Sequence, residues 1–432
     1  MAGEAWGDMC AQTNTCALAG GAAFFAGVPE AAMMVNGPLW CYFYALRQLE
    51  RPCPNVGKRF FCTQPDNQAV VFGTEDCLLE TLSLLKKSMK PEVVFIENSC
   101  AVSLIGDDVA GIAAQADLSC PAVCMDSGGM RGGFWEGYRE AALAYVKTLP
   151  PRVRQTVRPK TVNLLGCTVG YYQEQADIKE MERLLELVGY NVLTRPGAGS
   201  SPQELAELAQ AEVNLVMHSE LGLELARYLE ENYGMPYITL APPYGVQGTV
   251  QWLDAFCDAM ELGKDLRKPY RDEGSYWAKH IQNATLEMRR LWGDIWFERV
   301  AVAGPSSAAL TLGKALRREW ADAGKVTVIC HDGAFDGEAP TEADLILNGR
   351  EEVQLVEKAL CELGKDDLLW GSSQENYFLR REGVKNVLYQ PVALPAYEEV
   401  LLGERPFAGF QGACHLAERL WNGYVQKRCA KG

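Results

Sequence analysis

Short apolar, β-branched runs alternate with amphipathic stretches along nearly the whole chain, and this alternation narrows the possible folds more than any other feature. A strand followed by an amphipathic helix and a further strand builds a parallel sheet with helices on its faces. In the first third the pattern predicts a strand over 93–98, a helix over 106–116 and a strand over 121–126. The glycine-rich run Ser127-Gly-Gly-Met-Arg-Gly-Gly133 then leads into a helix over 135–148. The proline-bounded, polar segment 150–159 reads as a linker. A second set has strands at 161–165, 190–193, 214–217 and 236–240. Its helices lie at 178–188, after Pro202 and at 221–232, with a long one over 276–299. A third set has strands at 299–303, 326–330, 344–347 and 387–390, and the chain closes with a helix over about 413–427. The fold class is therefore α/β, three Rossmann-like domains with parallel sheets flanked by helices. The expected boundaries are 1–155, 156–298 and 299–409, with the closing helix, 410–432, returning to the first domain.

Composition excludes some functions. A net charge of −15 opposes binding to nucleic acid or to an anionic membrane, which needs clustered Lys and Arg. The apolar stretch 16–46 is interrupted by Pro29, Glu30, Gly37 and Pro38, so it holds no uninterrupted membrane span of ~20 residues. The start Met1-Ala-Gly-Glu-Ala-Trp-Gly-Asp8 has neither a basic nor an apolar leader segment. Fifteen cysteines without the paired density of a disulfide scaffold fit a reducing cytoplasm. No G-x-x-x-x-G-K-[ST] loop is present: "GPSSAALTLGKAL" has the wrong spacing and Ala315 where Ser or Thr belongs. ATP hydrolysis, if it serves this chain, belongs to another protein.

Three cysteines stand in loop contexts rather than core patterns. Cys16 opens a small-residue run, Cys41 closes Asn36-Gly-Pro-Leu-Trp-Cys41, and Cys100 follows the strand at 93–98. Soft thiolates at chain turns, within reach of backbone amides, suit an iron–sulfur centre. A single cysteine is more often a small buried hydrophobe. Cys120 and Cys124, spaced to share one strand face, read as packing residues; Cys53 and Cys62 bracket a loop, and Cys10 precedes Cys16 by six positions. His218 ends a strand and precedes a helix, at the carboxyl end where open α/β sheets place ligands. It reads equally as a structural histidine, a metal ligand or a proton donor. His331 also follows a strand, beside Asp332. His280 and His415 read as surface or interdomain residues, and Arg131 as a solvated loop residue or an anchor for an anion.

The chain also resembles the component-1 family of nitrogenase: the molybdenum–iron protein subunits, their cofactor-assembly relatives and the dark-operative chlorophyll-precursor reductases. The resemblance rests on Cys16-x24-Cys41 within "NGPLWC" and on "NSCAVSLIGDDVAG" around Cys100. It continues through "FGTEDCLLETL" (72–82), "EMERLLELVGYNV" (180–192), "NLVMHSELGLELARYLEENYGMPY" (214–237) and "GFQGACHLAERLWN" (409–422). It implies that Cys16, Cys41 and Cys100 hold a 4Fe–4S cluster, or a larger 8Fe type, at a subunit interface. Three thiolates fall one short of the four a 4Fe–4S cluster takes, so a second copy or a paralogous subunit is implied. So is a separate ATP-hydrolysing iron–sulfur reductase.

Departures from the family pattern matter as well. Gly129 stands where one nitrogenase subunit has a cluster-binding serine, with only Ser127 near. His218 stands where the catalytic subunit has the cysteine of the iron–molybdenum cofactor, and no histidine occurs around 398–404. That cofactor is therefore not expected here, and His218 faces either another metal centre or a substrate in the cleft. Three functions remain open from sequence: the catalytic part of a two-component reductase, a scaffold for metallocofactor assembly, or a metal-free Rossmann-type protein.

Overall fold

The computed structural model describes residues 15–333 and 342–429. Its strands form three wholly parallel sheets flanked by helices, the architecture the alternation predicts. The first sheet has the order β2-β1-β3-β4, from β1 (Ala31–Asn36), β2 (Phe60–Cys62), β3 (Val93–Asn98) and β4 (Ala122–Asp126). The second is β6-β5-β7-β8, from β5 (Arg158–Leu165), β6 (Asn191–Thr194), β7 (Ala211–Val216) and β8 (Tyr237–Thr239). The third is β11-β10-β9-β12-β13, from β9 (Trp296–Gly304), β10 (Asp322–Cys330), β11 (Leu345–Asn348), β12 (Leu368–Gly371) and β13 (Leu388–Pro391).

Several elements differ from the sequence expectation, each for a local reason. The helix expected over 276–299 is Lys268–Trp292. It stops at Gly293, whose φ of 76° suits glycine at a helix end, and β9 begins at Trp296. The helix expected over 106–116 is two helices, Cys100–Ile105 and Val109–Gln115. Gly106 (φ 82°) ends the first, and the Asp108 carboxylate caps the second through Gly111 N–H at 3.0 Å. β1 is buried at every position, so it carries no alternation and merges in sequence with the apolar helix Ala17–Ala26. The closing helix, Gly409–Cys429, packs on the helices Glu174–Leu187, Val246–Ala259 and Lys268–Trp292, and on β13, rather than returning to the first sheet. Leu416, Leu420 and Trp421 join the core formed by Leu184, Phe256, Phe297 and Trp370. An apolar stripe seeks the largest uncovered apolar face, and here that face lies between the second and third sheets.

Helix Ala17–Ala26 crosses helix Phe134–Thr148 at very short range through two glycines. A Cβ on Gly20 would lie 1.7 Å from the Phe134 carbonyl oxygen, and one on Gly137 would lie 1.8 Å from that of Ala17. Both obstacles are backbone atoms that cannot rotate away. Gly137→Ala is expected to lower stability by about 1–3 kcal/mol, the usual range for overpacking. Gly248→Ala, in a helix where a Cβ meets nothing within 4 Å, is expected to stabilise by roughly 0.5–1 kcal/mol. Denaturant midpoints of the two variants test the contrast, and equal shifts would refute the close crossing.

Candidate functional site

All four strands of the first sheet end at one edge, where polar side chains tie neighbour to neighbour. Thr63 Oγ1 donates to Asn36 Oδ1 (3.0 Å), Asn36 Nδ2 to Asn98 Oδ1 (3.3 Å), and Asn98 Nδ2 to Asp126 Oδ1 (2.9 Å). The backbone continues the pattern: Ser99 N–H donates to Asn36 O and Ser127 N–H to Asn98 O. The chain leaving β1 turns at Gly37-Pro38 into helix Leu39–Leu49, which carries Cys41 in its first turn. A Cβ on Gly37 would sit 2.4 Å from Ser99 Oγ, so only glycine fits this turn. The chain leaving β3 places Cys100 at the start of a short helix, and the chain leaving β4 becomes the glycine loop. That loop returns to Cys16 through an antiparallel bridge at Gly133, and Ala17 N–H donates to Gly132 O at 3.0 Å.

The edge therefore brings together all three cysteines singled out from sequence. Gly129 N–H donates to Cys100 Sγ at 2.9 Å; a Cβ on Gly129 would lie 3.7 Å from that sulfur and 3.5 Å from Cys16 Cβ. Burial raises the Cys16 thiol above its ordinary value, with Cys100 and Glu97 adding to the rise. Burial, followed by repulsion from Cys16, Cys100 and Cys62, pushes Cys41 up to about 11. The three other sulfurs thus lie near enough to Cys41 to act on its thiol, and a cationic centre beside them would relieve that repulsion. Among the described residues no three Cys, His, Asp or Glu side chains close on a single ion, so a mononuclear site is not formed here. The donor set suits a polynuclear iron–sulfur group: soft sulfurs, an amide aimed at one of them, and a loop kept free of side chains.

Around this edge large apolar side chains face outward: Leu39, Trp40 (67% exposed), Phe43 and Tyr44 on the Cys41 helix, and Leu104 (72%) on the Cys100 helix. Phe72 (87%) lies on helix Asn67–Phe72. Below it, Glu97 is fully buried, and burial holds its carboxyl well above the usual range. Ser127 lies near enough to favour the charged form but short of a full hydrogen bond. Arg131 makes only an exposed ion pair with Asp126, at 3.4 Å. Cys120 and Cys124 both border the apolar cluster on the opposite face of the sheet, with Leu78 and Ile96. Cys53 lies against Ala26 O, and Cys10 lies outside the described residues.

The second site lies where β7 of the second sheet meets the third. His218 caps helix Ser219–Tyr233 and is 3% exposed. Both ring nitrogens are engaged: Nδ1 with Ser307 Oγ (2.7 Å) and Nε2 with Glu174 Oε2 (3.2 Å), leaving neither free for a metal. Glu220 Oε1 lies 3.6 Å from Nδ1 and accepts from Ser307 Oγ (2.8 Å) and Tyr171 OH (3.1 Å). Trp135 Nε1 donates to Tyr171 OH at 2.9 Å. Burial opposes charge on the imidazole, but Glu174 and Glu220 outweigh it and raise His218 to about 10, so the ring is protonated at neutral pH. Burial, then Glu174, raises Asp177 to about 8; burial, then Glu220, raises Asp332 to about 7.

A cavity of about 320 Å³ opens beside this group, lined by Arg51, Tyr171, Tyr172, Glu174, Leu394 and Leu401 among others. Sequence reading finds His218 but misses Glu174, Glu220, Tyr171 and Ser307. Only Glu220, two positions on, carries a signal: an acid in the first turn of the helix. His331 pairs with Glu375 (2.8 Å) inside the third unit, His280 is exposed, and His415 is buried against Pro406 O.

The family described as nitrogenase component 1 type oxidoreductase matches residues 16–424. The chain belongs to this family. It is 26% identical over 383 residues to a light-independent protochlorophyllide reductase polypeptide of Methylobacterium sp. (strain 4-46), covering 83% of this chain and 71% of the relative. It is also 26% identical over 249 residues to the nitrogenase iron-molybdenum cofactor biosynthesis protein NifE of Methanosarcina barkeri, covering 54% and 52%. A solved structure described as nitrogenase Cp1 at pH 6.5 superposes with a TM-score of 0.75 at 16% identity, over 96% of this chain and 93% of the other. That structure shares the fold of this family member. Among its described residues no helix is long and apolar enough to cross a membrane.

The His218 group makes stability depend on pH. The folded state holds protons there that the unfolded chain releases. The contribution of His218 is complete below its ordinary 6.5 and lost as pH rises toward about 10. That of Asp177 runs in the same direction, lost between its ordinary 3.8 and about 8. Thermal melts should therefore show stability falling as pH rises from 6.5 to about 10. His218→Gln should flatten that slope; an unchanged slope in the variant would refute a protonated His218.

Proposed function

We propose that this chain is the catalytic, component-1 part of a nitrogenase-like two-component reductase. The observation that carries this reading is the convergence of Cys16, Cys41 and Cys100 on one sheet edge, with an amide donor on one sulfur and exposed aromatics around them. An iron–sulfur cluster, of the 4Fe–4S or the larger 8Fe type, supplies one-electron storage there when bound. Cys16, Cys41 and Cys100 hold it, and the Gly129 amide donates to the Cys100 sulfur. The exposed apolar rim faces a partner subunit, a second copy or a paralogous chain, since a patch of this kind on a soluble surface marks an interface. Electrons come from a separate ATP-hydrolysing iron–sulfur protein.

The substrate occupies the cavity beside Glu174, at the junction of the sheets. Reduction by single electrons builds negative charge on a substrate, and a positioned acid then contributes typically 10²–10⁴-fold. His218 holds that proton, and Glu174, which lines the cavity, passes it to the substrate at Oε2. Ser307 and Glu220 fix the ring. His218→Gln keeps a hydrogen bond but cannot titrate, so it should remove most turnover while leaving iron content unchanged. A second reading, a scaffold on which a metallocofactor is assembled, is favoured by the similarity to the biosynthesis protein; such a protein keeps the cysteines and shows no reductase turnover.

Protein purified anaerobically should be brown and carry iron. Cys16→Ala, Cys41→Ala and Cys100→Ala should each lose iron and the paramagnetic resonance signal of the reduced protein. Iron removal should also weaken self-association in sedimentation, because a group bridging two chains adds its binding free energy to assembly. Full iron and an unchanged spectrum in all three variants would refute the site.

A further inference from the structure

The cavity beside Glu174 continues into two smaller recesses. One, of about 40 Å³, is bordered by Gln48, Arg51, Pro52, Phe134 and Leu394 among others; the second, of about 20 Å³, reaches His218 past Tyr172 and Glu174. Arg51 lines both the first recess and the main cavity, and Glu174 lines both the main cavity and the second recess. The space therefore runs from a cation on one side to the acid beside His218 on the other.

The charges on the wall of the main cavity do not cancel. Its charged side chains are Arg51, Glu174 and Glu404. Glu174 meets the His218 imidazolium at 3.2 Å, and Glu404 pairs with Lys179. Arg51 makes no ion pair among the described residues. Its Nη2 donates to the Glu399 carbonyl oxygen, and its guanidinium lies 5.7 Å from the centre of the Tyr172 ring. The Glu399 carboxylate is already engaged: Arg419 Nη2 holds it at 2.9 and 3.1 Å, and Tyr172 OH donates to it at 2.6 Å. One positive charge is thus left unanswered, on a side chain positioned by a ring and one hydrogen bond. In the adjoining recess the Gln48 amide is buried, and neither its Nε2 nor its Oε1 meets a hydrogen-bond partner. A buried amide so placed keeps a donor in reserve for a ligand.

We propose that this cavity takes a carboxylate-bearing substrate with an apolar body, and that Arg51 binds the carboxylate. The inference rests on reading the cavity as the substrate site. A guanidinium presents parallel N–H donors that match both oxygens of a carboxylate, and its charge does not titrate at working pH. Gln48 Nε2 adds a neutral donor from the recess. Val169, Leu394 and Leu401 line the space left for the apolar body. A neutral ligand leaves the Arg51 charge unanswered, and a cation is repelled by it. Arg51 is therefore a specificity residue, separate from Glu174, which carries the proton.

The test uses the full chain purified anaerobically and two probes, trans-cinnamate and naphthalene-2-acetate, each beside its neutral amide. Dissociation constants come from saturation-transfer magnetic resonance, which reads binding into the millimolar range. Wild type is compared with Arg51→Gln, Arg51→Lys, Arg47→Gln and Leu401→Trp, the last placing a ring in the cavity from a partly exposed loop. The acids should bind wild type about tenfold tighter than the amides, the worth of one charge-assisted pair. Arg51→Gln should bring acid and amide together, Arg51→Lys should keep part of the preference, and Arg47→Gln should keep all of it. Leu401→Trp should weaken acid and amide alike. In wild type the acids should also protect Arg51 from phenylglyoxal, read by mass spectrometry, which needs no variant to fold. If acid and amide bind equally, or Arg51→Gln keeps the preference, while Leu401→Trp abolishes binding, the carboxylate assignment fails and the cavity stands. If no probe binds, or binding survives Leu401→Trp unchanged, the cavity reading fails and the assignment with it.

Discussion

The row of side-chain hydrogen bonds across the ends of the first sheet, Thr63–Asn36–Asn98–Asp126, is the constraint on which the cysteine edge depends. Each of the four strands contributes one member, at the strand's last residue or just past it. A strand slipped by one residue would break its links and turn its side chains to the wrong face. The row is largely buried, so a broken link strands a polar group at a cost of about 1–3 kcal/mol. Register is thus fixed where it matters, at the points where the chain leaves the sheet toward Cys41, Cys100 and the glycine loop. The cysteines themselves need make no structural bond and remain available to a ligand.

The His218 junction solves a different problem. Two sheets meet there through polar side chains, and a buried imidazolium between Glu174 and Glu220 balances charge that burial alone would forbid. The raised Asp177 and Asp332 show how little further negative charge the junction accepts. Asp177 accepts backbone N–H bonds from Phe407 and Ala408 just ahead of the closing helix, so the same acidic group anchors that helix to the second unit. Proton inventory and domain packing are therefore one property of this region.

Much of this is legible in the sequence, unevenly and for physical reasons. Strands flanked by amphipathic helices stand out, because burial on one face writes a period into the chain; β3 is read at its observed bounds. β1 is invisible, being buried on both faces and continuous with an apolar helix. β12, at four residues, is too short to show a period and escapes notice, although it lies between β9 and β13. Cys16, Cys41 and Cys100 stand out by their turn contexts, and they do share one edge. The partners of His218 come from residues 2 to 89 positions away, a nearness that sequence spacing does not encode.

The two sites are also mechanically joined, through Glu136. This residue accepts from Gly133 N–H at 2.8 Å, at the end of the glycine loop that donates to Cys100 and bridges to Cys16. Its carboxylate also holds Arg350 of the third unit, at 3.0 and 3.2 Å, and Arg139 of its own helix at 3.2 Å. Burial opposes charge on Glu136, but Arg350 and the Gly133 amide outweigh it and keep the acid below its ordinary value. Arg139 in turn reaches the carbonyl of Glu220, the acid that flanks His218. A displacement of the third unit would therefore pull on Arg350, and through Glu136 on the loop whose amide touches Cys100. Gly132, at φ 117°, gives that loop a backbone shape that residues with a side chain rarely adopt. The sulfur edge and the acid junction are thus linked by one chain of hydrogen bonds, from Gly133 through Glu136 and Arg139 to the Glu220 carbonyl.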